Sequence, residues 1–403
     1  MTQPLAGVRV LELATGIAGP YAGKLFGDYG ADVIKVEPPD GDVARRWGPF
    51  LDGLPDRETS ALFLHLNTNK RSITLDLECE SGRDLLRRII PTVDICVESF
   101  APGTLARWGV DVPTLQALNR ELVVTSITPF GQSGPYQAYL GSEVVYSAMG
   151  TMNFTRTDDG RPVTLGGNLC QYQAGNLAAA ATMAGLLSAE SGDEGTHIDI
   201  SIAAAQAASA NSTMVFLTAH AYNGRTSTPA KQVAAKQTGL GPYPNGTFRC
   251  SDGAVMVSTL HVWAARMVAT VDDPELTEIF RDPNRLTESG IAERINAIVA
   301  RWCSARTKRQ AMAEAQSAGW PVTAIQSPAD LADDPHFTER GSIVDVAHPI
   351  AGSVTQLGAP FRLEDGWRLR RPAPCLGEHN AEVYGELGFA ATELTAYRAA
   401  GVI

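Results

Sequence analysis

The hydrophobic pattern sets the first expectation. Residues 8–13, VRVLEL, form a short apolar run rich in branched side chains, as in a buried strand. GPYAGKLFGDYG (19–30) follows, with Pro20 near a helix start and Gly30 as its stop. ADVIKVE (31–37) predicts a second strand. Strand, helix and strand in about thirty residues read as a parallel βαβ unit. RSITLDL (71–77), VDICVES (93–99) and LVVTSITPF (122–130) predict further strands, with helices at 81–90 and 114–122 between them. This alternation predicts a doubly wound α/β domain.

The pattern then changes. Residues 171–189 predict an alanine-rich helix, and 198–217 a strand running into another helix of small residues, suited to close helix packing. Residues 223–248, rich in Gly, Pro, Lys and Thr, predict a linker. A hairpin follows at 246–259 around Ser251-Asp252-Gly253, then helices to about 318, as in a smaller α+β domain. Beyond Pro321 the pattern is loop-rich, with short strands and a final helix at 378–387.

Composition narrows the function classes. The 403 residues are 44% apolar and carry a net charge of −11, which argues against a nucleic-acid binder. Cys79, Cys96, Cys170, Cys250, Cys303 and Cys375 are widely spaced, with no CxxC pair, so neither a disulfide framework nor a zinc site is expected. The start, MTQPLAGVRVLEL, lacks a signal-peptide pattern, and no apolar run approaches membrane-spanning length. The expectation is a cytoplasmic protein with no membrane partner and no metal.

Few residues announce chemistry by themselves. TGIAGPYAG (15–23) places glycines at a strand-to-helix turn, where free backbone N–H groups favour anions, but it is not GxGxxG. Arg45-Arg46 and Lys70-Arg71 follow successive strands, at the strand ends where α/β domains gather ligands. His261 and His379 stand outside any HExxH, and neither GxSxG nor a P-loop is present. GGNLCQYQAG (166–175) forms a glycine-rich entrance to the alanine-rich helix, with Cys170 and the uncharged Gln171 in its middle.

Taken in order, several segments carry a resemblance. They are LAGVRVLELATGIAGPYAGKLFGDYGADVIKVEPPDGDVAR, LNTNKRSITLDL, ESFAPGTLARWGV, SITPFGQSGPY and AMG (148–150), then DDPHFTERG (333–341) and LGEHNAEVYGELG (376–388). Through them the chain resembles the family III CoA-transferases, the CaiB/BaiF family, over nearly its whole length. The resemblance implies a Rossmann-like large α/β domain built from both chain ends (1–222 and 326–403). It also implies a small α+β domain inserted at 223–325 and an interlocked dimer. It implies coenzyme A, as acyl-CoA substrate, on the large domain. Matching contacts are Ile17, Ala18, Arg45 or Arg46, Asn69, Lys70, Phe100 and Arg107, with the cations on phosphates. The family often has Asn-Phe-Arg-Pro-Gly where this chain has Ser99-Phe100-Ala101-Pro102-Gly103, so part of the polar lining is replaced.

The same resemblance places an Asp nucleophile four residues before a helix glycine, and that position here is Gln171, before Gly175. A carboxylate can attack a thioester and leave again; a neutral amide cannot, although it can hydrogen-bond a carbonyl. The family's racemases add a His where this chain has Ser142. Three readings follow. The chain is one subunit of a hetero-oligomeric transferase whose related partner bears the Asp. Alternatively, Cys170 or Glu143 supplies the chemistry. In the third, the CoA-thioester site serves a lyase, hydratase or isomerase, or a non-catalytic CoA-binding scaffold. The transfer of CoA between an acyl-CoA and a carboxylic acid, by the first reading, is the principal expectation.

Overall fold

The computed structural model describes residues 3–150, 162–163, 166–209, 217–218, 220–222, 224, 243–364 and 366–403. The chain divides into two compact units. One comprises Met1–Thr155, Pro162–Tyr222 and His336–Ile403; the other comprises Arg156–Arg161 and Asn223–Pro335. The central part of the expected linker, 225–242, lies outside the described residues.

The first unit is built on six strands: β1 (Arg9–Glu12), β2 (Asp32–Glu37), β3 (Lys70–Thr74), β4 (Ile95–Glu98), β5 (Val123–Thr128) and β6 (His197–Ser201). All neighbours pair in parallel, in the order β3-β2-β1-β4-β5-β6. The continuous apolar runs of the sequence are strands buried on both faces, as a helix-covered parallel sheet requires. One face packs Leu11, Ile34, Ile73 and Val124; the other packs Val10, Val33, Ile95 and Val123. The strand order reverses between β1 and β4, which makes the crevice beyond their carboxyl ends the natural ligand position.

The helices of this unit are α1 (Ala18–Asp28), α2 (Ala61–Leu66), α3 (Glu80–Ile89), α4 (Thr104–Arg107), α5 (Val112–Leu118), α6 (Glu143–Met149), α7 (Leu169–Glu190) and α8 (Ile202–Ser209). The helix expected at 114–122 stops at Leu118 because Asn119 turns the chain, its Nδ2 donating to Val93 O at 2.8 Å. The strand expected to start the 198–217 segment is β6 and the small-residue helix is α8; residues 210–216 of that segment lie outside the described residues. The chain's end ties onto β3. His379 N donates to Ser72 O at 2.9 Å, Thr74 N donates to Asn380 Oδ1 at 2.8 Å, and Tyr384 Oη donates to Thr74 O at 2.8 Å. The final helix of the pattern is Asn380–Glu386, and one further helix, Ala391–Ala399, follows it.

The second unit holds an antiparallel sheet of β7 (Asn245–Cys250), β8 (Gly253–Ser258) and β9 (Val322–Ala324). Helices Ala264–Val271, Pro274–Arg281, Ile291–Ser304 and Lys308–Ser317 enclose a core of Val255, Met267, Ile295, Trp302 and Trp320 with it. Among the described residues no helix is long and apolar enough to cross a membrane, and no group of His, Cys, Asp or Glu could hold a metal ion.

Candidate functional site

The carboxyl ends of β1 and β2, with Lys70 at the start of β3 reaching toward them, hold a fully buried charge network. Glu12 ends β1; its Oε1 accepts from Lys35 Nζ at 3.0 Å and its Oε2 pairs with Lys70 Nζ at 2.8 Å. Lys35 also reaches Asp42 Oδ2 at 2.7 Å and donates to Ala14 O at 3.1 Å. Burial alone would lower the Lys35 ammonium, but Asp42, Glu12 and Glu37 outweigh it and hold it above its usual value. Around Lys70 burial wins over Glu12 and brings the ammonium down to about 8.

Two cations expected to face phosphate are engaged in and beside this network. Lys70 is completely buried and donates to Pro20 O at 2.7 Å and Asn67 Oδ1 at 2.8 Å besides Glu12. Its three protons are used within the protein. Arg45 is equally enclosed: it grips Glu37 at 2.6 and 2.8 Å, Glu58 at 2.7 Å and Pro374 O at 3.0 Å, with its guanidinium over the Phe63 ring. Both cations neutralise core carboxylates and do not present donors to a solute. Asn69 is also structural. It sits at φ 65°, donates to Asp28 Oδ1 at 2.7 Å and accepts from Arg370 N at 2.7 Å. Arg46 is exposed and pairs with Asp40 at 2.9 Å.

The first βα turn is similarly committed. Thr15 N donates to Ser99 Oγ at 3.0 Å, and Gly16 N donates to Asp42 Oδ1 at 3.1 Å. Within the 15–23 turn expected to offer free N–H groups, those of Thr15 and Gly16 are therefore filled by side chains of neighbouring loops. Gly16 has φ +78° and lies under the Trp47 ring, 3.6 Å from where a Cβ would stand. Ile17 caps α1 without a side-chain bond, and its side chain and that of Ala18 are buried, so any ligand contact there is through the backbone.

Phe100 and Arg107, expected from the resemblance to contact coenzyme A, share one cleft. It has a volume of about 290 Å³ and is lined also by Leu13, Val36, Leu75 and Trp108. It opens beyond β1, β2, β3 and β4, at the strand-order reversal. Phe100 meets Trp108 edge-on, ring centroids 5.0 Å apart, and Trp108 Nε1 donates to Glu78 Oε2 at 3.3 Å. Arg107 is exposed and has no ion pair among the described residues. The cleft is largely apolar with aromatic walls, carries Glu37, Asp76 and Glu78 on its lining, and has the Arg107 guanidinium among its lining groups. The sequence reading missed Trp108; its place directly after Arg107 on the short α4 was the available signal.

The second half of the site is the head of α7. Asn168 precedes it at φ 53°, and Glu143 of α6 accepts from Cys170 N through Oε1 at 2.7 Å. A carboxylate there satisfies an orphan N–H and opposes the helix dipole. Among the described residues, Glu143 Oε2 is buried without a hydrogen-bond partner. Burial first, and Glu143 next, push the Cys170 thiol up to about 12, so it stays protonated and poorly nucleophilic at neutral pH. Burial likewise raises the Tyr146 hydroxyl to about 12. Gln171 is partly exposed, one turn before Gly175, which packs against Ala18 at the start of α1. Tyr172 and Tyr21 meet edge-on beside it, centroids 4.8 Å apart. Glu143, Cys170 and Gln171 thus share one helix head, on the α1 side of the sheet.

Comparison with known proteins agrees with this architecture. The profile of CoA-transferase family III matches residues 5–380. The chain is 32% identical over 398 residues to the succinate–glutarate CoA-transferase of Agrobacterium fabrum, covering 95% of this chain and 96% of that one. It is 31% identical over 410 residues to the succinyl-CoA:(R)-benzylsuccinate CoA-transferase subunit BbsE of Thauera aromatica, covering 98% and 97%. The crystal structure of a CaiB/BaiF family protein from Brucella suis superimposes with a TM-score of 0.79 at 30% identity, over 96% of this chain and all of that one. The chain belongs to CoA-transferase family III. Its curated relatives are CoA-transferases named for acyl-CoA substrates, among them succinyl-CoA.

Proposed function

We propose that this chain binds an acyl-CoA thioester and serves as one subunit of a hetero-oligomeric CoA-transferase, with a related family III chain supplying the carboxylate nucleophile. The observation that carries this reading is the pairing of a nucleotide-sized cleft beyond β1 and β4 with a helix head whose central side chain is Gln171. The adenine lies between the apolar floor and the Phe100–Trp108 wall, and Arg107 meets phosphate. Backbone at Ile17 and Ala18 borders the path toward α7.

Transfer by this family's route needs a carboxylate that attacks the thioester carbonyl and expels the CoA thiolate as a mixed anhydride forms; the thiolate then attacks the enzyme's own carbonyl and releases the donor acid, and the acceptor carboxylate takes CoA from the resulting enzyme thioester by the same steps in reverse. The Gln171 amide nitrogen is not nucleophilic and its oxygen forms no exchangeable anhydride. Its N–H can donate to a thioester carbonyl, which orients the acyl group without covalent chemistry. The Cys170 thiol, raised by burial and by Glu143, is a weak nucleophile at neutral pH, which argues against it in the carboxylate's place. Glu143 is the remaining carboxyl group of the helix head, but one oxygen is engaged with Cys170 N. The subunit reading is further supported by the Thauera aromatica relative, whose name is that of one subunit of a transferase.

Assembly as an interlocked dimer of related chains is part of the same proposal. Its support is the exposed apolar surface of α7, with Leu177 44% and Leu187 60% exposed. Beside it lies a groove of about 340 Å³ lined by Leu25, Tyr29, Ala180, Met183 and Phe361. Surface of this kind marks protein contacts.

The test uses the purified chain alone. Calorimetry with coenzyme A and succinyl-CoA is followed by thioester exchange on the same sample. Binding without exchange, and exchange restored by a co-purified family III chain, is the expected result. Full exchange by the chain alone would replace the subunit reading with Glu143 chemistry. No binding would remove the CoA reading altogether.

A further inference from the structure

Glu98, the last residue of β4, is a buried acid with no cationic partner. It is 2% exposed, and no Lys, Arg or His pairs with it among the described residues. Removing a carboxylate from water without a counter-cation costs folding free energy. What this one holds is the loop that shapes the proposed nucleotide cleft. Glu98 Oε2 accepts from Phe100 N at 2.7 Å. The next residue, Ser99, accepts from Thr15 N, so the loop is fixed to both β1 and β4. Gly103, at φ +83°, then starts α4, which carries Arg107 at its end.

Behind Glu98 stands a second hydrogen-bonded layer. Ser126 lies directly opposite it in the β4–β5 register, buried, and hydrogen-bonds its carboxylate. Ser126 Oγ is 2.9 Å from His197 Nε2. With the hydroxyl donating to Glu98, the histidine takes the Nε2–H tautomer and donates to Ser126. Gln132 Nε2 approaches Glu98 Oε1 at 3.5 Å. These groups line a smaller cleft of about 200 Å³, on the far side of α4 from the nucleotide cleft. Burial raises the Glu98 carboxyl above its usual value, while the bonds from Ser126 and Phe100 N oppose that.

We propose that Glu98 is a positioning residue for nucleotide binding: its carboxylate fixes the Phe100 backbone, and through it the Phe100–Trp108 wall and α4 with Arg107, while the Ser126–His197 pair fixes the carboxylate. This rests on the proposed CoA reading of the larger cleft. A glutamine at 98 can still accept from Phe100 N and donate to Ser126, with the histidine changing tautomer. An alanine can do neither.

The experiment is calorimetry on the full chain with coenzyme A and with adenosine 3′,5′-bisphosphate, the nucleotide half of CoA. Glu98→Ala is expected to weaken both ligands about tenfold, and Glu98→Gln by no more than about threefold, the scale of one lost buried hydrogen bond. Adding Glu98→Ala to Phe100→Ala is expected to cost little beyond Phe100→Ala alone, because both act through one wall. Rescue by glutamine and this non-additivity separate positioning from general loss of structure. Glu98→Ala binding within twofold of the parent, glutamine as damaging as alanine, or fully additive losses would each overturn the proposal. A parent chain that binds neither ligand would instead overturn the CoA reading on which it rests.

Discussion

A Cβ built on Gly175 would lie 2.6 Å from the Ala18 carbonyl oxygen and 3.1 Å from the Tyr21 ring. Helices α1 and α7 therefore touch backbone to backbone at this point, one turn from Gln171. Gly175→Ala forces them apart, since a backbone carbonyl cannot rotate away as a side chain can. The expected cost is about 1–3 kcal/mol, and a lower thermal midpoint measures it. An unchanged midpoint would mean that α7 is not seated on α1 in this way.

Cys170 follows from its surroundings. Burial and Glu143 keep its thiol up to about 12. Iodoacetamide at pH 7.5 should leave Cys170 unmodified in the native chain, as peptide mapping would show. Cys170→Ala should keep CoA affinity within about twofold, the scale of a buried thiol that packs as a small apolar group. Rapid alkylation, or abolished exchange in an assembled enzyme, would restore the thiol as nucleophile.

His65 contributes to the acid sensitivity of the first unit. Burial first, and Lys24 next, lower its imidazole to about 4 from an ordinary 6.5. The unfolded chain takes up a proton at the higher value and the folded chain only at the lower one. The stability this neutral histidine contributes is complete above about pH 6.5 and is lost as pH falls toward 4. Its share is about 2 kcal/mol once partial solvent screening is discounted. Urea titrations at pH 7 and pH 4.5 should show a smaller loss for His65→Gln than for the parent. Equal losses would place the acid sensitivity elsewhere.

The strands were legible because parallel strands buried on both faces leave continuous runs such as VRVLEL and VVTSIT. Helix ends were less so. The stop of α5 at Leu118 depends on Asn119 reaching Val93 across the fold, and local pattern carries no trace of that bond. Among site residues, Phe100 and Arg107 reach the cleft because they follow a strand end on a short loop. Lys70 and Arg45 looked equally suitable by sequence position. The difference is that Glu12 and Glu37, also on strand ends, point at them and consume their donors. Whether a cation faces inward is decided by cross-strand neighbours, which a linear pattern does not display. The same holds for Glu98, whose neighbour Ser126 and the His197 that bonds Ser126 come from two later strands.

The most direct test of the account is the affinity of the full chain for coenzyme A with and without Arg107, the cleft cation that has no ion pair among the described residues. Arg107→Ala, at an exposed position, should leave the thermal midpoint within about 1 °C and weaken CoA binding by roughly ten- to thirtyfold, as expected for one charge-assisted phosphate contact. It should also flatten the salt dependence of binding. Undiminished affinity in Arg107→Ala, at the same ionic strength, would contradict the placement of CoA beyond β1 and β4.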